Sequence, residues 1–141
     1  MSQIAVVYWS GTGNTEAMAQ AVAAGAGAMG ASVSVFTPSE FQSDMMDSYD
    51  AVAFGCPAMG AEVLEEDEFE PMFSSCREKL SGKKIALFGS YGWGSGQWMS
   101  DWEESCRADG AVLVCDSVIC CDDPDEDGVK ACKALGAALT E

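Results

Sequence analysis

Ile4-Ala5-Val6-Val7-Tyr8-Trp9, followed directly by Ser10-Gly11-Thr12-Gly13-Asn14-Thr15, is the stretch on which the reading of this chain turns. A short apolar run rich in β-branched and aromatic residues, closed by turn residues, reads as a buried strand of a parallel sheet. An Ala-rich helical pattern starts at Glu16. A glycine-containing loop between a strand and a helix N-terminus binds phosphate, because free N–H groups and the helix dipole meet the anion. The hydroxyls of Ser10, Thr12 and Thr15 and the amide of Asn14 add neutral donors. The first basic residue in the chain is Arg77, so no nearby cation neutralises that phosphate. This excludes a P-loop, whose lysine reaches the outer phosphates of a nucleotide. A dinucleotide fingerprint fits poorly too, since it needs glycine near Ala17. The plainer reading is a βα turn with Thr15 or Asn14 as helix cap. Capping needs one such residue, and here six small polar or glycine positions occur in a row.

Outward from this stretch, strands are expected near 3–9, 32–37, 50–56, 83–89 and 111–119. Helical patterns lie near 15–29, 67–80, 96–109 and 125–139, with a short weak one at 39–48. Strands alternating with helices at this spacing give βαβ units, hence an α/β fold with an open parallel five-stranded sheet and helices on both faces. Gly30 and Gly110 stand where helix C-caps belong. Gly25 and Gly27 each cost the first helix about 1 kcal/mol relative to alanine, so packing must stabilise it, with its small face expected close on the sheet. Ligands of such sheets bind beyond the C-terminal strand ends, which gathers the loops after the first, third and fourth strands around one pocket.

The chain of 141 residues suits one domain, 1–141, with a single sizeable core. No apolar run approaches the ~18 residues of a membrane span. The start of the chain lacks a basic segment and enters a strand almost at once, as expected without a secretory signal. Seven cysteines, at 56, 76, 106, 115, 120, 121 and 132, form no Cys-x-x-Cys. Their odd count fits a reducing cytoplasm rather than a disulfide framework. They lack the C-x2-C of plant-type iron–sulfur proteins, and with no histidine in the chain there is no zinc pattern, so they read as buried small hydrophobes. Seven basic residues against 23 acidic ones give a formal charge of −16. Nucleic acid wants the opposite sign and is excluded as a partner. The acids cluster at Glu62, Glu65, Glu66, Asp67, Glu68 and Glu70 and again at Asp122, Asp123, Asp125, Glu126 and Asp127. Such a surface serves solubility, or it steers basic-faced partners.

Two later segments complete the pattern: Cys56-Pro57-Ala58-Met59-Gly60-Ala61-Glu62 and Gly89-Ser90-Tyr91-Gly92-Trp93-Gly94. With Trp9 to Thr15 they resemble, in order and strand context over nearly the whole chain, the three FMN loops of flavodoxins, most closely the short-chain type of anaerobic bacteria. The resemblance implies strand order 2-1-3-4-5 and FMN held at Ser10, Gly11, Thr12, Gly13, Asn14 and Thr15, Pro57 to Glu62 and Ser90 to Gly94. By analogy, the Gly60 carbonyl turns toward the flavin N5–H. Met59 covers one ring face with its polarizable thioether. The Glu62 carboxylate takes the N3–H, and its N–H lies near O4. Trp93 stacks on the ring, a contact worth about 0.5–1.5 kcal/mol beyond burial. The N–H groups of Gly92 and Trp93 reach O2 and N1. Ser90 lines the ribityl–phosphate end, Ala58, Tyr91 and Gly94 complete the loops, and Cys121 and Asp122 edge the pocket. Ala61 and Pro57 depart from relatives that carry a polar and a hydroxyl residue there. Trp9, Trp98 and Trp102 are expected to be core or loop support.

No Ser/His/Asp or Cys/His set is present. The resemblance implies a low-potential one-electron carrier, expected to be a cytoplasmic monomer shuttling electrons between redox enzymes. The chemistry belongs to the non-covalent cofactor, while the protein supplies binding, stacking and charge. A flavodoxin-fold NAD(P)H-dependent FMN or quinone reductase is the alternative. It needs cationic contacts for a second substrate, and the pocket lip is acidic.

Overall fold

The computed structural model describes residues 2–11, 13–59, 63–92 and 96–141. Strand β1 (Gln3–Tyr8) is followed by α1 (Asn14–Ala28), β2 (Ser32–Phe36), β3 (Ala51–Gly55) and α2 (Phe69–Cys76). Then come β4 (Lys84–Tyr91), α3 (Gln97–Ala108), β5 (Val112–Leu113), β6 (Val118–Cys121) and α4 (Glu126–Ala138). All ladders are parallel, in the order β2-β1-β3-β4-β5, with β6 also paired to β4. The expected order 2-1-3-4-5 is the observed one.

The expected strand at 111–119 is broken. Leu113 pairs with Ile85 and Val118 with Phe88, so five steps on one strand face three on the other and the chain bulges between them. After the bulge β6 runs on to Cys121, two residues past the expected end, and this carries Asp122 to the rim where the loops gather. The weak helical pattern at 39–48 is two short 3₁₀ turns, Pro38–Glu40 and Ser43–Ser48, and α2 closes with another at Arg77–Lys79.

Alternation along the strands divides the interior into two cores. Ala5, Val7, Val52, Phe54, Ile85 and Leu87 face one side, against Phe69, Phe73, Trp98 and Trp102 of α2 and α3. Ile4, Val6, Ala51, Ala53, Ala86 and Phe88 face the other, against Met18, Val22, Cys132 and Leu135 of α1 and α4. Trp98 and Trp102 are core residues, as expected, at 2% and 3% exposure. Gly25 does not lie against the sheet. A Cβ there would sit 2.0 Å from the Lys133 carbonyl oxygen of α4, and one on Gly136 would sit 2.0 Å from that of Val22. The small face of α1 therefore serves contact between two helix backbones.

Basic residues gather at the end of the sheet where β4 begins. Arg77 pairs with Asp109 at 2.8 Å and Lys79 with Asp47 at 3.0 Å. Lys83 donates to the carbonyls of Met46 and Tyr49, and Lys84 to that of Glu141. At the opposite end, where the loops lie, Glu66, Asp67, Glu68, Asp122 and Asp123 are exposed.

Candidate functional site

The loop after β1 reaches α1 through Gly13, whose φ of 97° is left-handed, a conformation suited to glycine. Gly13 is the helix cap, so neither Asn14 nor Thr15 fills that role. The side-chain cap comes instead from Ser10, whose hydroxyl accepts from the N–H groups of Gly13 at 3.1 Å and Glu16 at 3.3 Å. Its own O–H stays available as a donor. The opening N–H groups of a helix have no partner within it. Those of Asn14 and Thr15 take none among the described residues. The Thr15 hydroxyl is buried and lies 2.7 Å from that of Ser90, tying the start of α1 to the end of β4.

The loop after β3 leaves with Cys56 and Ala58 donating to the carbonyls of Phe88 and Ser90, at 3.1 and 3.0 Å. Met59 and Val63 exchange both backbone hydrogen bonds, at 2.9 and 3.0 Å. Burial pushes the Cys56 thiol up to about 12, so its sulfur is neutral and accepts from the Glu65 N–H. Glu65 itself is buried. Burial raises its pKa, but the N–H groups of Phe69, Glu68 and Asp67 outweigh that and hold the carboxyl below its usual value.

These loops enclose a cavity of about 230 Å³ lined by Trp9, Gly11, Asn14, Pro57, Ala58, Met59, Ser90, Tyr91, Gly92 and Asp122. A second, of about 560 Å³, lies beside the loop after β1 and takes in Ser10, Gly11, Gly13, Glu16, Thr37 and Glu68. Trp9 and Gly11 belong to both. The Trp9 indole donates to Glu68 at 3.2 Å. Among the described residues, no basic side chain lines either cavity. An aromatic and thioether wall with neutral donors at one end fits FMN: a flat apolar ring joined to a polar tail and a phosphate.

The flavodoxin family model matches residues 6–136. The chain belongs to the flavodoxin family. It is 50% identical over 121 residues to the flavodoxin of Clostridium beijerinckii, covering 86% of this chain and 88% of that one. It is 44% identical over 138 residues to that of Megasphaera elsdenii, covering 98% of each. The solution structure of two-electron-reduced Megasphaera elsdenii flavodoxin matches with a TM-score of 0.89 at 45% identity, covering 96% of this chain and 97% of that one. Like the flavodoxins, this protein is an FMN-dependent electron carrier and not an enzyme with a substrate of its own. The reductase alternative is not favoured.

Of the residues expected at the flavodoxin cofactor, Gly11, Asn14, Pro57, Ala58, Met59, Ser90, Tyr91 and Gly92 line the smaller cavity. Ser10 and Gly13 line its neighbour. Thr15 lines neither and reaches the first through Ser90. Thr12, Gly60, Ala61, Glu62, Trp93 and Gly94 lie outside the described residues. Trp9, read as loop support, is a cavity wall, and its place at the strand–loop junction was the available signal. Among the described residues, Asp122 is the one charged side chain on the smaller cavity, and it holds a φ of 60°. Beside it Cys121 is exposed and Cys115 half-buried, so the buried-thiol reading holds for the other five cysteines only.

Proposed function

We propose that this flavodoxin is a low-potential one-electron carrier whose non-covalent FMN is held entirely by neutral donors at its phosphate. The observation that carries this reading is the convergence of three loops on one cavity that offers, among the described residues, hydroxyls and N–H groups without partners but no cation. Ser10 to Thr15 hold the phosphate, with Ser10 presenting its O–H and the start of α1 its free N–H groups. Met59 and Tyr91 enclose the ring, with Trp93 stacked on it. Gly60 to Glu62 and Gly92 to Gly94 meet its polar edges. FMN supplies the one-electron chemistry. The chain supplies orientation, exclusion of water, and a negative field that disfavours adding charge to the ring. It works as a cytoplasmic monomer on basic-faced redox partners. Its thiols, all free, suit a reducing compartment.

Hydrogen bonds to a charged acceptor contribute roughly 1.5–3 kcal/mol each, so Ser10→Ala should weaken FMN about tenfold or more. Riboflavin, which has no phosphate, should bind far more weakly than FMN and should not distinguish Ser10→Ala from the unaltered protein. Fluorescence titration of the apoprotein measures both. Equal affinity for FMN and riboflavin would sink the assignment of the phosphate loop.

A further inference from the structure

The cavity wall from Cys56 to Met59 is held unevenly on its two sides. The outgoing limb is fastened to the sheet and to α3: Cys56 and Ala58 bond β4 backbone, and the Trp98 indole donates to the Cys56 carbonyl at 3.2 Å. The returning limb, Val63 to Glu65, has no such ladder. It is held by the paired bonds between Met59 and Val63 and by the Glu65 N–H on the Cys56 sulfur at 3.3 Å. Its ties to the start of α2 are the Glu65 carbonyl, which accepts from the Glu70 N–H at 2.8 Å, and the Glu65 carboxylate. Oε1 accepts from the N–H groups of Glu68 and Phe69, both at 2.8 Å, and Oε2 from that of Asp67 at 2.9 Å. A carboxylate with its lone pairs directed by three backbone donors is fixed in place, and at 5% exposure water does not compete for it.

We propose that Glu65 is a positioning residue for electron transfer: by locking the returning limb to the start of α2, it sets where Met59 stands against the flavin ring. Glu65 does not touch the cofactor cavity, so its influence runs through the Val63–Met59 pair. The inference rests on the reading that Met59 covers the ring. With the carboxylate gone, the limb keeps the Met59–Val63 pair, one weak N–H···S bond and a single backbone bond to α2, from the Glu70 N–H to the Glu65 carbonyl. Any preference of that loop for the reduced ring over the oxidised one then weakens.

Glu65→Gln keeps an oxygen for Glu68 and Phe69 and loses the acceptor for Asp67. Glu65→Ala loses all three bonds. In the apoprotein, amide hydrogen exchange should quicken at Met59 and Val63 as well as at Asp67 to Phe69, more in the alanine variant than in the glutamine one. In the FMN-loaded protein the potential for the first electron should fall in the same order. A tenfold loss of preference in the alanine variant corresponds to 59 mV for one electron. Should Glu65→Ala fail to fold, the glutamine variant carries the test at smaller amplitude. Faster exchange confined to Asp67–Phe69, with the potential unchanged, would make Glu65 a helix cap and nothing more. Met59→Ala separates the two layers. If it shifts the potential while the Glu65 variants do not, the positioning role is wrong. If it leaves flavin spectrum and potential untouched, the reading of the cavity wall fails, and the inference with it.

Discussion

At the scale of single residues, Glu65 shows how misleading membership of a charge cluster can be. It stands among the acids at 62–70 that the sequence offers as a partner-facing patch, yet it points inward and serves the backbone of its own chain. Glu66, Asp67 and Glu68 beside it are exposed. A pH dependence follows. Burial raises the Glu65 pKa and three N–H donors lower it further than burial lifts it, leaving it below the ordinary 4.5. A carboxyl depressed in the folded state contributes stability above its unfolded value, and that contribution is lost as pH falls through the folded one. Glu65→Ala should therefore cost about 1–2 kcal/mol at neutral pH, the scale of a lost helix cap. The gap between variant and unaltered protein should close as pH drops below 4.5. Urea unfolding of the two apoproteins across that range checks it, and a gap that persists in acid would mean the carboxylate is not what stabilises the turn.

At the scale of elements, α1 carries two glycines two residues apart with opposite meanings. Gly25 lets the backbone of α4 come close, and its absent Cβ would stand 2.0 Å from the Lys133 carbonyl oxygen. Gly27 is exposed, with nothing within 4 Å of where its Cβ would be. Gly25→Ala should thus destabilise by about 1–3 kcal/mol, the range for overpacking a close-packed contact. Gly27→Ala should stabilise by roughly 0.5–1 kcal/mol, because only the helix propensity changes. Thermal unfolding of both variants reads the two signs. If the variants shift alike, propensity alone governs this helix and the close contact with α4 carries no weight. Periodicity located the helix. It could not say which neighbour needed the missing side chain, because that depends on α4, more than a hundred residues further along the chain.

At the scale of the whole molecule, the charge is sorted as well as unbalanced. Four of the seven basic residues, Arg77, Lys79, Lys83 and Lys84, are engaged at the end where β4 begins, while the acids at 66–68 and 122–127 crowd the rim of the cofactor loops. On the proposed reading, a surface so polarised would steer basic-faced partners toward the loop end, over a range cut to ~10 Å at 0.1 M salt. Replacing Glu66, Asp67, Asp123 and Asp127 by their amides should slow electron transfer at low ionic strength and flatten its salt dependence. Glu65 is left out of that set because its task is internal. Stopped-flow rates against a redox partner over a salt series decide the matter. A rate indifferent to ionic strength in the unaltered protein would reduce the acids to a solubility device.

The sequence by itself determined the order of strands and helices, the polar glycine-containing loop at the first strand–helix junction, and the absence of any Lys or Arg before Arg77. Each of these is local, readable from periodicity, turn chemistry and charge within a dozen or so residues. Only the folded structure decided which residues meet, within the first loop as well as between distant segments. Ser10 caps the helix in place of Asn14 or Thr15 because the loop folds its hydroxyl back onto two N–H groups. Thr15 meets Ser90 because β1 and β4 end at the same edge of the sheet. Asp122 reaches the cavity because the bulge between β5 and β6 sets where the last strand ends. Trp9 becomes a wall because Glu68, from another loop, holds its indole. Hydrogen bonds and close contacts between residues far apart in the chain follow from packing the sheet and its helices together, and no local pattern of residue types encodes them.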